Sequence, residues 1–89
     1  MGSQPGPHSS HPDKIMFYVA DWCPECDRVR SFLVGRGVEF IEVDTAREPA
    51  AVEFLERMLR RVRLPTIIFP DGTISVEPST EEIARHLAR

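Results

Sequence analysis

The chain has 89 residues, is 42% hydrophobic and 28% charged, and carries a formal net charge of −3. That length holds one small domain and excludes a two-lobed enzyme with a deep cleft. Eight prolines exclude a chain-spanning coiled coil, and two cysteines are too few for a disulfide-rich scaffold.

Residues 1–14 are expected to form a flexible tail. Met1 to Pro12 has no apolar periodicity and holds three of the eight prolines, Pro5, Pro7 and Pro12. Part of it has the composition of a cloning remnant. It lacks the basic start and apolar stretch of a signal peptide. No apolar run reaches the roughly 18 residues of a membrane span, and the mild acidity argues against a nucleic-acid surface. The expected location is cytoplasmic, where a structural disulfide does not normally persist.

Residues 15–89 read as one α/β domain. Ile15 to Val19 is a short apolar run, the pattern of a buried strand. Cys23 follows it, then Pro24, a favoured first helical residue. Val29, Phe32 and Leu33 recur at helical spacing until Gly35 and Gly37. Val38 to Val43 alternates as a second strand. A second helix starts near Pro49, with Val52, Leu55, Leu59 and Val62 on one stripe. Its outer face offers Glu53–Arg57 and Glu56–Arg60 as i,i+4 pairs worth a few tenths of a kcal/mol each. Leu64-Pro65 then breaks the chain. Thr66 to Phe69 and Thr73 to Val76 flank the turn Pro70-Asp71-Gly72. Ser79 with Glu82 is a capping-box pattern, and Ile83, Ala84, Leu87 and Ala88 form the buried side of a last helix. The order β-α-β-α-β-β-α implies a parallel pair joined by a right-handed crossover, a closing hairpin, and helices on both faces.

The candidate chemistry lies in Cys23-Pro24-Glu25-Cys26. Two cysteines three apart at a strand-to-helix junction can reach one another. Cys23 lies at the helix start, where unpaired N–H groups and the positive dipole end favour a thiolate. Such settings lower a cysteine pKa from about 8.5 toward roughly 3.5–7.5. Cys26, a turn further in, is suited to attack a mixed disulfide once Cys23 has formed one. Glu25 opposes the thiolate by like charge and either selects basic partners or is a first-turn acid favoured by the dipole. Three other readings stand beside exchange. Zinc needs two further ligands, and His8, His11 and His86 are the remaining imidazoles. An iron–sulfur cluster shared by two chains would make the protein a dimeric carrier. A non-catalytic interaction module would use the fold without the thiols. No metal ligand set is assigned.

Tyr18-Val19-Ala20-Asp21-Trp22-Cys23-Pro24-Glu25-Cys26, Leu64-Pro65-Thr66, Asp71-Gly72 and Pro78-Ser79 together resemble the glutaredoxin family. The stretch from Asp71-Gly72-Thr73 to Glu82 is most similar to mycoredoxins, the actinobacterial branch that uses mycothiol. The resemblance implies a thioredoxin-like fold with a four-stranded mixed sheet. It implies a thiol–disulfide oxidoreductase with Cys23 attacking and Cys26 resolving, and with no bound cofactor. Pro65 would be a cis-proline that leaves the Leu64 backbone free to pair with an extended thiol or peptide. Trp22, Pro24, Glu25, Leu64, Pro65, Ser79 and Thr80 would form the thiol-binding surface, with N–H groups at the last helix start meeting a carboxylate. Partners would be a low-molecular-weight thiol, oxidised or thiolated proteins and a reductase, and the protein would act as a monomer. Glu25 stands where many members have an aromatic. Val76-Glu77-Pro78-Ser79 replaces the Gly-Gly pair of glutathione users, which favours mycothiol over glutathione. Arg63-Leu64-Pro65 keeps only the proline of the usual Thr-Val-Pro. The Trp-Ser-Gly-Phe-Arg-Pro motif of redoxins serving ribonucleotide reductase is absent.

Overall fold

A computed structural model describes residues 14–88. The tail expected over residues 1–14 lies, except for Lys14, outside the described residues. The elements are β1 (Ile15–Val19), α1 (Pro24–Gly35), β2 (Phe40–Asp44), α2 (Pro49–Met58), β3 (Thr66–Ile68), β4 (Ile74–Val76) and α3 (Thr80–Leu87). They form a four-stranded mixed sheet in the order β2-β1-β3-β4. β1 runs parallel to β2 and antiparallel to β3, and β4 closes the hairpin. This is the thioredoxin-like arrangement.

β1 is buried along its whole length because both of its faces are covered. Ile15, Phe17 and Val19 point to one side, where Cys26, Val29 and Leu33 of α1 and Ile83 of α3 meet them. Met16 and Tyr18 point to the other, against Ala51 and Leu55 of α2. Aromatic pairs add to each layer: Phe17 meets Phe40 edge-on at 5.7 Å, and Tyr18 stacks with Phe54 at 6.1 Å.

The helix ends follow local chemistry. α1 closes in a Schellman motif, with Gly37 N–H donating to Val34 C=O and Val38 N–H to Leu33 C=O. Gly37 supplies the positive φ, 69°, that the motif requires. In the hairpin turn, Gly72 N–H donates to Phe69 C=O, and Asp71 Oδ1 accepts from Thr73 N–H.

The largest departures from the sequence reading are at β2 and α2. β2 starts at Phe40 rather than Val38, because Val38 is used in the α1 cap. α2 stops at Met58, and Leu59 is already extended (φ −127°, ψ 147°). The reason is topological. β2 ends and β3 begins at the same end of the sheet, so the chain must return after α2 has carried it away. A helix advances about 1.5 Å per residue and extended chain about 3.3 Å, so continuing to Val62 would leave too little chain for the return. Leu59 and Val62 still pack on the α2 side of the sheet, but Arg60 lies beyond the helix, and neither the Glu56–Arg60 nor the Glu53–Arg57 pair forms. The capping box is half made. Ser79 Oγ accepts from Glu82 N–H at 3.0 Å, while the Glu82 carboxylate accepts from the Ser75 hydroxyl at 2.8 Å. Ala88 is exposed rather than part of the buried side of α3.

Candidate active site at the end of the sheet

The register brings four chain segments to one end of the sheet. Tyr18 pairs with Thr66, so the end of β1 lies beside the Leu64-Pro65 segment. Thr66 pairs with Val76, and Glu77 N–H donates to Pro65 C=O at 2.7 Å. This sets the Glu77-Pro78-Ser79 link next to Pro65. Thr45 closes the same end, its N–H and hydroxyl both donating to Val19 C=O at 2.9 Å. α1 and α3 thus both start at this end, the one with Cys23 as N-cap and the other with Ser79.

Cys23 has extended backbone (φ −128°, ψ 93°), and Pro24 at the first helical position starts α1 without an unsatisfied N–H. Cys23 Sγ accepts from Cys26 N–H at 3.1 Å. A cysteine thus does the capping work usually done by serine or aspartate. Cys23 is half-buried, whereas Cys26 is only 1% exposed and belongs to the core layer under α1. The two are joined as a disulfide, with Cα atoms 5.1 Å apart, within the span a disulfide accommodates.

Two non-glycine residues of the described chain have left-handed backbone, and both flank this site: Trp22 (φ 58°) and Glu77 (φ 50°). Such conformations cost on the order of 1–2 kcal/mol each and concentrate at functional sites. Trp22 is 96% exposed, which removes local packing as its explanation. Trp22, Cys23 and Pro24 line a shallow cavity of about 420 Å³ together with Asp21, Asp27 and Arg30.

Glu25 is exposed and ion-paired with Arg28, so its charge beside Cys23 is offset. The Leu64-Pro65 peptide bond is cis. Among the described residues none hydrogen-bonds to the Leu64 backbone, and the Leu64 side chain packs, like Cys23, against the α1 core layer. Pro65 is buried. Leu64, Pro65, Ser79 and Thr80 lie outside the cavity beside Cys23 but at the same sheet end. His86 belongs to the opposite end. It stacks on Phe69 at 4.2 Å and lines a larger cavity of about 630 Å³ with Ile15 and Leu87, which holds none of the expected site residues. His8 and His11 lie outside the described residues.

Arg30 is a site residue that the sequence reading does not single out. It forms a two-point ion pair with Glu42 on β2, at 2.6 and 2.9 Å, and bonds Asp27 at 2.7 Å. Its guanidinium also lies 5.9 Å from the centre of the Phe17 ring. The hydrogen bonds to Glu42 and Asp27 strengthen its hold on its proton. The arrangement ties α1 to the sheet edge and fixes one wall of the Cys23 cavity. A signal exists: Arg30 falls four residues after Cys26 and seven after Cys23, on one face of α1.

Residues 15–74 match the family model described as Glutaredoxin. A curated relative, "Putative glutaredoxin Rv3198A" of Mycobacterium tuberculosis (strain H37Rv), is 30% identical over 76 residues, covering 84% of this chain and 90% of its own. Among solved structures, the thioredoxin-like protein BC3987 is 28% identical with a TM-score of 0.74, covering 81% of this chain and 97% of its own. The glutaredoxin-like protein NrdH-redoxin from Escherichia coli is 25% identical with a TM-score of 0.73, covering 81% and 92%. The family match runs from β1 through the paired cysteines and the cis-proline into β4. A sheet end with a Cys23–Cys26 redox pair at the α1 start is therefore not an isolated likeness: the chain belongs to the glutaredoxin family.

Proposed function

We propose that the protein is a thiol–disulfide oxidoreductase that reduces protein disulfides and mixed disulfides between proteins and a low-molecular-weight thiol. The observation that carries the reading is the unequal pair: Cys23 half-buried at the helix cap, facing the Cys26 N–H, and Cys26 buried beneath it. In the reduced protein the same N–H and the helix start favour the Cys23 thiolate. The thiolate attacks one sulfur of a substrate disulfide, forming a mixed disulfide and releasing the other sulfur as a thiolate that takes up a proton. Cys26 then gives up its proton and attacks the Cys23 sulfur. This releases the second substrate thiol and leaves the Cys23–Cys26 disulfide. The dithiol thus supplies the two electrons that turn one disulfide into two thiols. Two molecules of a reducing thiol restore it.

Trp22, Leu64, Pro65, Ser79 and Thr80 serve as the thiol-binding surface in this reading, supported by their convergence at one sheet end. The reducing thiol is mycothiol rather than glutathione. The Val76 to Ser79 sequence and the mycobacterial relative support that choice. The protein acts in the cytoplasm; no helix among the described residues is long and apolar enough to cross a membrane. Offering the oxidised protein mycothiol with its reductase, glutathione with its reductase, or thioredoxin reductase with NADPH tests the assignment. Mycothiol is expected to regenerate it fastest. Regeneration by thioredoxin reductase alone would overturn the thiol assignment.

A further inference from the structure

The chain is acidic overall, yet residues 57–63 hold four arginines and no acid: Arg57, Arg60, Arg61 and Arg63. All four are exposed. Arg63 is paired with Glu77 at 3.3 Å, which ties its end of the run to the link beside Pro65. Among the described residues, Arg57, Arg60 and Arg61 have no ion-pair partner. Met58, half exposed, stands between them. On α1 the charges are paired instead. Glu25 and Asp27 on α1 are each held by an arginine of their own helix, Arg28 and Arg30. The unspent charge of the 57–63 run is therefore positive.

We propose that Arg57, Arg60 and Arg61 form a docking surface for an acidic segment of the protein whose disulfide Cys23 attacks. This rests on the oxidoreductase reading and names its class of partner. The run leaves α2 at Leu59, bends at Arg60 and Arg61 and leads into Leu64-Pro65, so a partner lying along it is guided toward the cysteine end of the sheet. Residues 57–61 lie at the end of α2 away from Cys23, and residues 62–65 carry the chain back to the cysteine end. A partner that touches this run and Cys23 together must follow that return, which suits a polypeptide rather than one small thiol. Carboxylates meeting unpaired arginines gain charge-assisted, two-point hydrogen bonds, and the exposed Met58 adds an adaptable apolar contact. Surface charge of this kind acts mainly on encounter rate and partner choice.

The test uses a fluorescein-labelled Glu-Ser repeat peptide without cysteine, titrated by anisotropy against the full chain. The wild type is expected to bind it, at least about fivefold more weakly when salt rises from about 20 to about 300 mM. Arg60→Glu/Arg61→Glu is expected to lose binding, and Arg60→Gln/Arg61→Gln, which avoids new repulsion with Glu53 and Glu56, to weaken it. Binding that is absent, or indifferent to both variants, would overturn the proposal. So would tighter binding of a single-stranded oligonucleotide or an anionic vesicle. In a second arm, the wild type reduces a Glu-flanked disulfide peptide faster than a Lys-flanked one, and the charge-reversed variant inverts that order while keeping its rate on a small neutral disulfide. Intact peptide binding with no reduction of any disulfide would count against the oxidoreductase reading and not against the docking surface.

Discussion

Cys23 and Cys26 are chemically identical and physically unlike, and the difference comes from three neighbours. Pro24 starts the helix, the Cys26 N–H faces the Cys23 sulfur, and the α1 core layer encloses Cys26. The first of these is readable in the sequence, which is why the motif alone locates the pair. The left-handed backbone at Trp22 and Glu77 is not readable there, because neither residue type favours it and only the surrounding fold imposes it. Tyr18 provides a check on the core beneath the site. It is the single tyrosine, and burial pushes its pKa up to about 12. The folded state thus keeps a proton that the unfolded state releases near the ordinary value of 10. Stability present below about pH 10 is lost as pH rises toward about 12. Absorbance titration of the folded protein should show tyrosinate appearing only toward about pH 12, with the urea midpoint falling above about pH 10. A tyrosine midpoint near 10 in the folded protein would contradict its burial.

At the scale of elements, all seven are legible in order, because each carries its own period and its own punctuation. Pro24 and Pro49 open helices, Ser79 caps one, and Asp71-Gly72 turns the hairpin. What the sequence does not reveal is set by tertiary need. The apolar stripe through Leu59 and Val62 is real, and both residues do pack on the sheet, but the chain must leave the helix at Met58 to return to the start of β3. The Glu82 carboxylate likewise answers to Ser75 on β4 rather than to its own helix cap. This makes the α3 start depend on Ser79 alone for its side-chain cap. Ser79→Ala should cost about 1 kcal/mol, lowering the melting temperature by about 4–8 °C in a domain this small. An unchanged melting temperature would show that the cap contributes nothing.

For the whole molecule, the site is a product of sheet register. Parallel pairing of β1 with β2 and antiparallel pairing with β3 place two helix starts, the cis-proline and the cysteine pair at one end of the sheet. Cys23 and Ser79 are far apart in the chain, and without the register their meeting follows only from the family resemblance. Arg30 and Glu42, which brace α1 against the sheet edge, belong to the same class of feature. The central claim is that Cys23 attacks and Cys26 resolves. Mass spectrometry of the Cys26→Ser variant, mixed with a disulfide-linked substrate and quenched with acid, tests it most directly. The account predicts a substrate thiol trapped in a mixed disulfide on Cys23, with no such adduct on the Cys23→Ser variant. An adduct that forms equally on Cys26 in the Cys23→Ser variant would contradict it.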